Sequence, residues 1–265
     1  MINEVVDLVE RMKDPVLSEL NIITWGSPVP SFGNLSNSRL ATLGLNPSNK
    51  EFLDNNGSEL SGIERRFHTL NSLGISHWEQ ATDSHYESIL QFCNEYFSRN
   101  PYDAWFKRLD YLISGTTLSY YFPSSGACHL DLIPFATSIK WGELSHWQRS
   151  TLLNRYSDLL GALLKNSNIK VLVLNGKSVI DNFLKISDTD IQIERKEEWD
   201  LPRKDSDGIP GYAYKGSVKN VGGIDLDEEV FVFGFNHNIQ SSYGVTANVQ
   251  LGIRNWITQN VLSVI

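Results

Sequence analysis

The chain has few cysteines, no long apolar run and no basic excess, and each shortage excludes something. Cys93 and Cys128 are the only two cysteines in 265 residues. Two thiols cannot build a disulfide scaffold, a four-cysteine zinc site or an iron–sulfur site. They suit a reducing compartment, so a cytoplasmic protein is expected. No apolar run approaches the roughly 20 residues needed to cross a bilayer. The amphipathic, acidic start Met1-Ile2-Asn3-Glu4 does not read as a signal peptide. The formal net charge is −8, which argues against non-specific nucleic-acid binding over the whole surface. It leaves room for a local basic cleft drawn from Arg65, Arg66, Lys140, Arg149, Lys215 and Lys219. The six histidines show no metal-ligand spacing, and no His-Glu-x-x-His occurs. Neither a metal nor a cofactor is expected. Internal repeats are absent.

What remains is an alternation of short apolar runs and amphipathic segments. Leu40–Leu45, Cys128–Pro134, Ile169–Leu174 and Val230–Phe235 read as buried strands. Helices are expected over 3–20, 63–73, 84–98, 101–113, 145–166, 177–185 and 245–262. Gly74 supplies a helix stop. Leu152, Leu153, Tyr156, Leu159, Leu160 and Leu163 form an apolar stripe on the long helix. The charged, glycine-rich stretch 190–228 reads as a strand pair with long loops. This order predicts an α/β protein: a three-layer α/β/α sandwich around a central, mostly parallel four-stranded sheet. One domain, 1–265, is expected, with a helical insertion near 76–125 and a charged insertion near 190–228.

Two polar loops follow apolar runs: Thr42-Leu43-Gly44-Leu45-Asn46-Pro47-Ser48 and Gly234-Phe235-Asn236-His237-Asn238-Ile239-Gln240-Ser241-Ser242. In an open parallel sheet, loops leaving the carboxyl ends of strands form the ligand crevice. The two loops are therefore expected to meet in one cleft. His129 and Asp131 lie two apart in a strand and share a face. They read equally as a satisfied core pair or as pocket residues. Asn175-Gly176-Lys177-Ser178 opens a helix after a strand, as a phosphate-binding loop does. Val171 stands where that motif needs glycine, so a tight turn is the plainer reading.

Together the two loops resemble the motifs of the uracil-DNA glycosylase superfamily. Gly44-Leu45-Asn46-Pro47-Ser48 is similar to its first motif in the Asn-Pro form. Asn236-His237-Asn238-Ile239-Gln240-Ser241 matches the second without its proline, leaving open whether Asn236 or His237 supplies the second catalytic group. His129-Leu130-Asp131-Leu132-Ile133-Pro134 matches the base-reading strand, with Asp131 in place of asparagine. Val171–Gly176 resembles the third strand and its turn.

The resemblance implies a monomeric, metal-independent DNA base glycosylase that flips a base out of the stack. Asn46 would orient the attacking water, and Asn236 or His237 would stabilise the leaving base. Phe67 would stack on that base beside Gly44, Ile239 or Gln240 would fill the gap in the duplex, and Ser241 and Ser242 would hold phosphates. An ionised Asp131 offers only acceptors, which suits cytosine N4 and a protonated N3 better than uracil O4. The small Ser48 leaves room for a C5 substituent. The implied substrate is a cytosine-derived, C5-modified base, as in superfamily members that remove modified cytosines from phage DNA in antiviral defence. The alternatives are a uracil or mismatch glycosylase in base-excision repair, and a non-catalytic base-binding module.

Overall fold

The computed structural model describes residues 1–203, 206–240 and 245–265. Its strands are β1 (Leu40–Gly44), β2 (Ala127–Asp131), β3 (Val171–Asn175), β4 (Gln192–Arg195), β5 (Leu201–Arg203), β6 (Ser206–Ile209), β7 (Tyr212–Val221) and β8 (Ile224–Phe235). The helices are α1 (Ile2–Arg11), α2 (Leu70–Leu73), α3 (Asp83–Asn94), α4 (Asp103–Ile113), α5 (His146–Lys165), α6 (Lys177–Ile186) and α7 (Ala247–Leu262).

The main sheet runs β2-β1-β3-β8-β7-β4, and β5 pairs with β6 separately. β2, β1, β3 and β8 are mutually parallel, whereas β7 and β4 are antiparallel additions. The protein is thus α/β, with a six-stranded mixed sheet flanked by helices, rather than the four-stranded sheet expected from the apolar runs. β1, β2 and β3 are buried almost throughout, and β1 and β3 accordingly read as largely apolar runs.

The two extra strands come from the charged 190–228 stretch. β4 is exposed along its whole length, which hides it from any hydrophobic pattern. β7 and β8 form a hairpin closed at Gly222 (φ +59°) and Gly223 (φ +81°). Positive φ at both positions is the turn geometry that matches strand twist and favours glycine. A Cβ on Gly222 would also lie 2.3 Å from Ser157 O of α5.

The stripe on α5 is buried as expected, and a Ser145–Gln148 capping box starts the helix. The expected helix over 63–73 shrinks to the single turn α2, ended by Gly74 in the left-handed region. Tertiary contacts outcompete helix there. Thr69 bridges Gly26, and the Arg66 guanidinium donates to the carbonyls of Lys50 and Asn100.

The fold aligns one transverse row of residues at the carboxyl ends of the parallel strands. Gly44 pairs with Asp131, Leu43 with Leu174, and Asn175 with Phe235. Gly44, Asp131 and Asn175 therefore end neighbouring strands on one face of the sheet. Among the described residues, no helix is long and apolar enough to cross a membrane.

Candidate functional site

A cleft of about 610 Å³ opens at those carboxyl ends. The loops after β1, β2, β3 and β8 all reach it, through Asn46, Thr137, Gly176 and Asn236 among others. Both polar loops expected to meet do so. Phe32, Tyr102, Trp105, Phe106 and Trp141 give it aromatic walls. Such walls suit a flat ring, which stacks on aromatic faces. Among the described residues, no cluster of histidine, cysteine or carboxylate could hold a metal.

Asn46 is fixed by its donor end. Its Nδ2 donates to Thr137 Oγ1 (2.8 Å) and to Pro47 O (3.0 Å). Thr137 gives its own hydrogen to Ile139 O at 2.6 Å, so towards Asn46 it can only accept. Chemistry therefore settles the amide orientation. Among the described residues no donor is bonded to Asn46 Oδ1, so the acceptor end stays available in the cleft.

Asp131 is 6% exposed and faces the cleft with His129, whose Nε2 lies 3.4 Å from Asp131 Oδ1. The pair is both core and pocket. Behind it, His129 Nδ1 meets Thr42 Oγ1 at 2.6 Å, and Thr42 meets the buried Tyr120 hydroxyl at 2.5 Å. Thr42 is the one partner of that hydroxyl among the described residues, so the chain has a direction. Tyr120 donates to Thr42, and Thr42 donates to Nδ1. The ring hydrogen then sits on Nε2, facing the carboxylate. The reverse order would strand the tyrosine hydrogen and set two acceptors face to face. Gly44 makes room for this arrangement, since a Cβ there would lie 2.3 Å from Asp131 Oδ1.

Other expectations are corrected by the packing. Phe67 is 1% exposed and stacks on Tyr96 (centroids 5.2 Å apart) inside an aromatic cluster with Phe32 and Phe52. It does not line the cleft; Phe32, Tyr102, Trp105 and Phe106 do. The Trp105 ring lies 5.0 Å from that of His129. His237 is 3% exposed and donates from Nε2 to Trp199 O at 2.6 Å. Burial lowers its pKa, and it does not reach the cleft. Asn236 lines the cleft, with both ends of its amide bonded to the fold. Oδ1 accepts from Tyr212 N, and Nδ2 donates to Pro210 O, both at 2.8 Å.

Ile239 is 1% exposed, so it cannot enter a duplex without leaving the core. Gln240 lies in the cleft wall and accepts from Asn175 Nδ2 at 3.2 Å, which is not the posture of a wedge. Arg108 holds this loop through the carbonyls of Ile239 and Gln240. Ser241 and Ser242 lie outside the described residues. Ser48 lines the cleft, and its hydroxyl caps the turn at Asn49–Glu51.

Of the basic residues considered, only Lys140 lines the cleft, joined there by Lys50 and Lys177. Arg66 and Arg149 instead bond backbone carbonyls, and Lys215 bonds Asn260. Lys177 is paired with Asp181, so Lys50 and Lys140 carry the positive charge of the rim, a setting that favours an anionic ligand. Asn175 and the aromatics of 102–106 were not singled out for the site. The spacing Tyr102, Trp105, Phe106 on α4 was the signal available for the latter.

No protein-family model matches this chain, and no curated protein matches it in sequence.

Proposed function

We propose that the protein is a DNA base glycosylase that hydrolyses the bond between deoxyribose and a flipped-out, cytosine-derived base. The carrying observation is the Asn46 amide, anchored through its nitrogen and, among the described residues, unbonded at its oxygen inside an aromatic-walled cleft. A fixed acceptor of that kind orients a water towards an anomeric carbon, a contribution of positioning rather than of basicity. In the reaction the C1′–N1 bond breaks and its electron pair leaves with the base. The oxygen of water adds to C1′. One water proton passes to solvent, and the base regains a proton at nitrogen. The aromatic walls would hold the extruded ring, and the lysine rim the phosphates beside it. The finer fold assignment, a three-layer sandwich of the uracil-DNA glycosylase kind, belongs to this proposal. The parallel order β2-β1-β3-β8, with both motif loops at its carboxyl ends, supports it.

Cytosine is favoured over uracil by Asp131. With His129 Nε2 3.4 Å from one oxygen, the carboxylate keeps acceptor capacity for an N4 amine and a protonated N3. Ser48 at the cleft favours a base enlarged at C5. Oligonucleotides carrying uracil, cytosine or C5-modified cytosine, incubated with the protein and treated with alkali, test the reading. Strand scission at a modified cytosine is expected. Scission at none of these bases would reject the proposal.

A second reading, a base-binding module without catalysis, is favoured by one observation. Both side chains bond the backbone: His237 has given its Nε2 hydrogen to Trp199 O, and Asn236 keeps only the second hydrogen of an amide held by the fold. Tight binding of modified DNA without abasic product would support it.

A further inference from the structure

Two side chains of the cleft wall carry buried polar atoms with no partner among the described residues, Asn175 Oδ1 and Gln240 Nε2. They belong to side chains that bond each other, Asn175 Nδ2 to Gln240 Oε1 at 3.2 Å. Both residues line the cleft, Asn175 at the end of β3 and Gln240 in the loop that follows β8. If both amides are turned over, the same bond forms in the other direction, leaving Asn175 Nδ2 and Gln240 Oε1 unpaired. Either way the pair presents one free donor and one free acceptor. Buried amides left in this state are costly, and a ligand that supplies the complement relieves them.

We infer that the Asn175–Gln240 pair is the donor that stabilises the departing base, the part that the resemblance gives to Asn236 or His237. The inference rests on the glycosylase reading. When the C1′–N1 bond breaks, its electron pair spreads over the ring towards the carbonyl oxygen at C2. An amide hydrogen held in place for that oxygen strengthens its bond as the charge grows, and so lowers the barrier. The row across the sheet places Asn175 and Asp131 on either side of Gly44. Adjacent strands lie about 4.8 Å apart, so two strand steps leave roughly 10 Å between their backbones. A pyrimidine spans such a gap, with its N3/N4 edge towards Asp131 and another edge towards the amide pair. The remaining free acceptor suits a donor on the ligand or a bound water.

The two amides act as a unit, because each orients the other. Single-turnover base release is measured on oligonucleotides carrying 5-methylcytosine or 5-fluorocytosine, using wild type, Asn175→Ala, Gln240→Glu and the double variant. Fluorine withdraws electrons and makes the base a better leaving group, so it needs the donor less. Each single variant is expected to lose about a hundredfold in the release step on 5-methylcytosine, with little change in half-saturating protein concentration. The double variant should lose no more than the worse single variant. The loss should be at least several-fold smaller on 5-fluorocytosine. A structural defect would lower both substrates alike. Equal losses on both, additive losses, or single variants within about twofold of wild type would overturn the inference while leaving the glycosylase reading intact. Failure of wild type to release either base would overturn both. Gln240→Glu keeps the size and one acceptor of the original side chain, so it stands in should Asn175→Ala fail to fold.

Discussion

Asn46 and Asn236 are the same residue in the same kind of place, a loop leaving the carboxyl end of a parallel strand, yet they are used in opposite ways. Asn46 anchors its nitrogen on Thr137 and keeps its oxygen unbonded among the described residues. Asn236 bonds at both ends, to Tyr212 N and Pro210 O, and so ties the end of β8 to the start of β7. The difference follows from the neighbours. β1 lies between two parallel strands, and its outgoing loop has no edge to stitch. β8 meets an antiparallel strand from the charged segment, whose backbone needs partners at Pro210 and Tyr212. A polar loop is free for chemistry only where the fold has not already claimed its hydrogen bonds.

The sharpest way to break this contrast is Asn46→Ala. Base release should fall by about a hundredfold or more, since a positioning group is lost, while stability falls by no more than the roughly 1–3 kcal/mol that its bonds to Thr137 and Pro47 supply. Unchanged single-turnover release would remove Asn46 from the chemistry.

Asp131→Asn comes next. Replacing an acceptor by an amide donor opposite N4 should shift preference from modified cytosine towards uracil by about tenfold to a hundredfold. Rates on matched oligonucleotides check this. Lower stability with an unaltered substrate ratio would make Asp131 a core partner of His129 and nothing more.

Asn236→Ala should spare base release, unlike Asn46→Ala. Two hydrogen bonds to the backbone disappear, and denaturant unfolding should show a loss of roughly 1–3 kcal/mol. The folded variant should release base within a few-fold of wild type. A hundredfold loss of release at unchanged stability would invert the comparison.

The smallest effect concerns Glu51, buried beside the first loop and bonded to the Tyr96 hydroxyl at 2.8 Å. Burial pushes its carboxyl up from the ordinary 4.5 to about 7, against the opposing pull of Arg66. Between those values the folded state holds a proton that the unfolded chain has released. Glu51 therefore makes stability fall as pH rises through that window. His68 acts in the opposite sense. Burial lowers its pKa from 6.5 to about 4, so its share of stability is lost as pH falls through that range. The difference between wild type and Glu51→Gln isolates the carboxyl. The variant should gain stability relative to wild type as pH goes from 4.5 to 7.5, and a flat difference would contradict the assignment.

The parallel strands were legible because burial on both faces leaves largely apolar runs at Leu40–Gly44 and Val171–Asn175. The cleft was legible through the polar residues that interrupt those runs, Asn46 and Asp131 above all. β4 was not, because a fully exposed strand at the sheet edge carries no hydrophobic signature. Phe67 and Phe32 are indistinguishable in sequence, and only packing decides which ring faces the cleft. His237 looked like a catalytic histidine because its burial against Trp199 depends on a segment nearly 40 residues earlier. The Asn175–Gln240 bond joins residues 65 apart, and no local pattern encodes it.

The central claim, that this cleft breaks a base–sugar bond rather than merely binding a base, is tested most directly by product stoichiometry. The protein in excess is incubated with DNA carrying C5-modified cytosine, and free base and abasic sites are both quantified. The account predicts that the two appear together, one for one, with wild type, and far more slowly with Asn46→Ala. Stable binding of that DNA by wild type, with neither product formed, would contradict it.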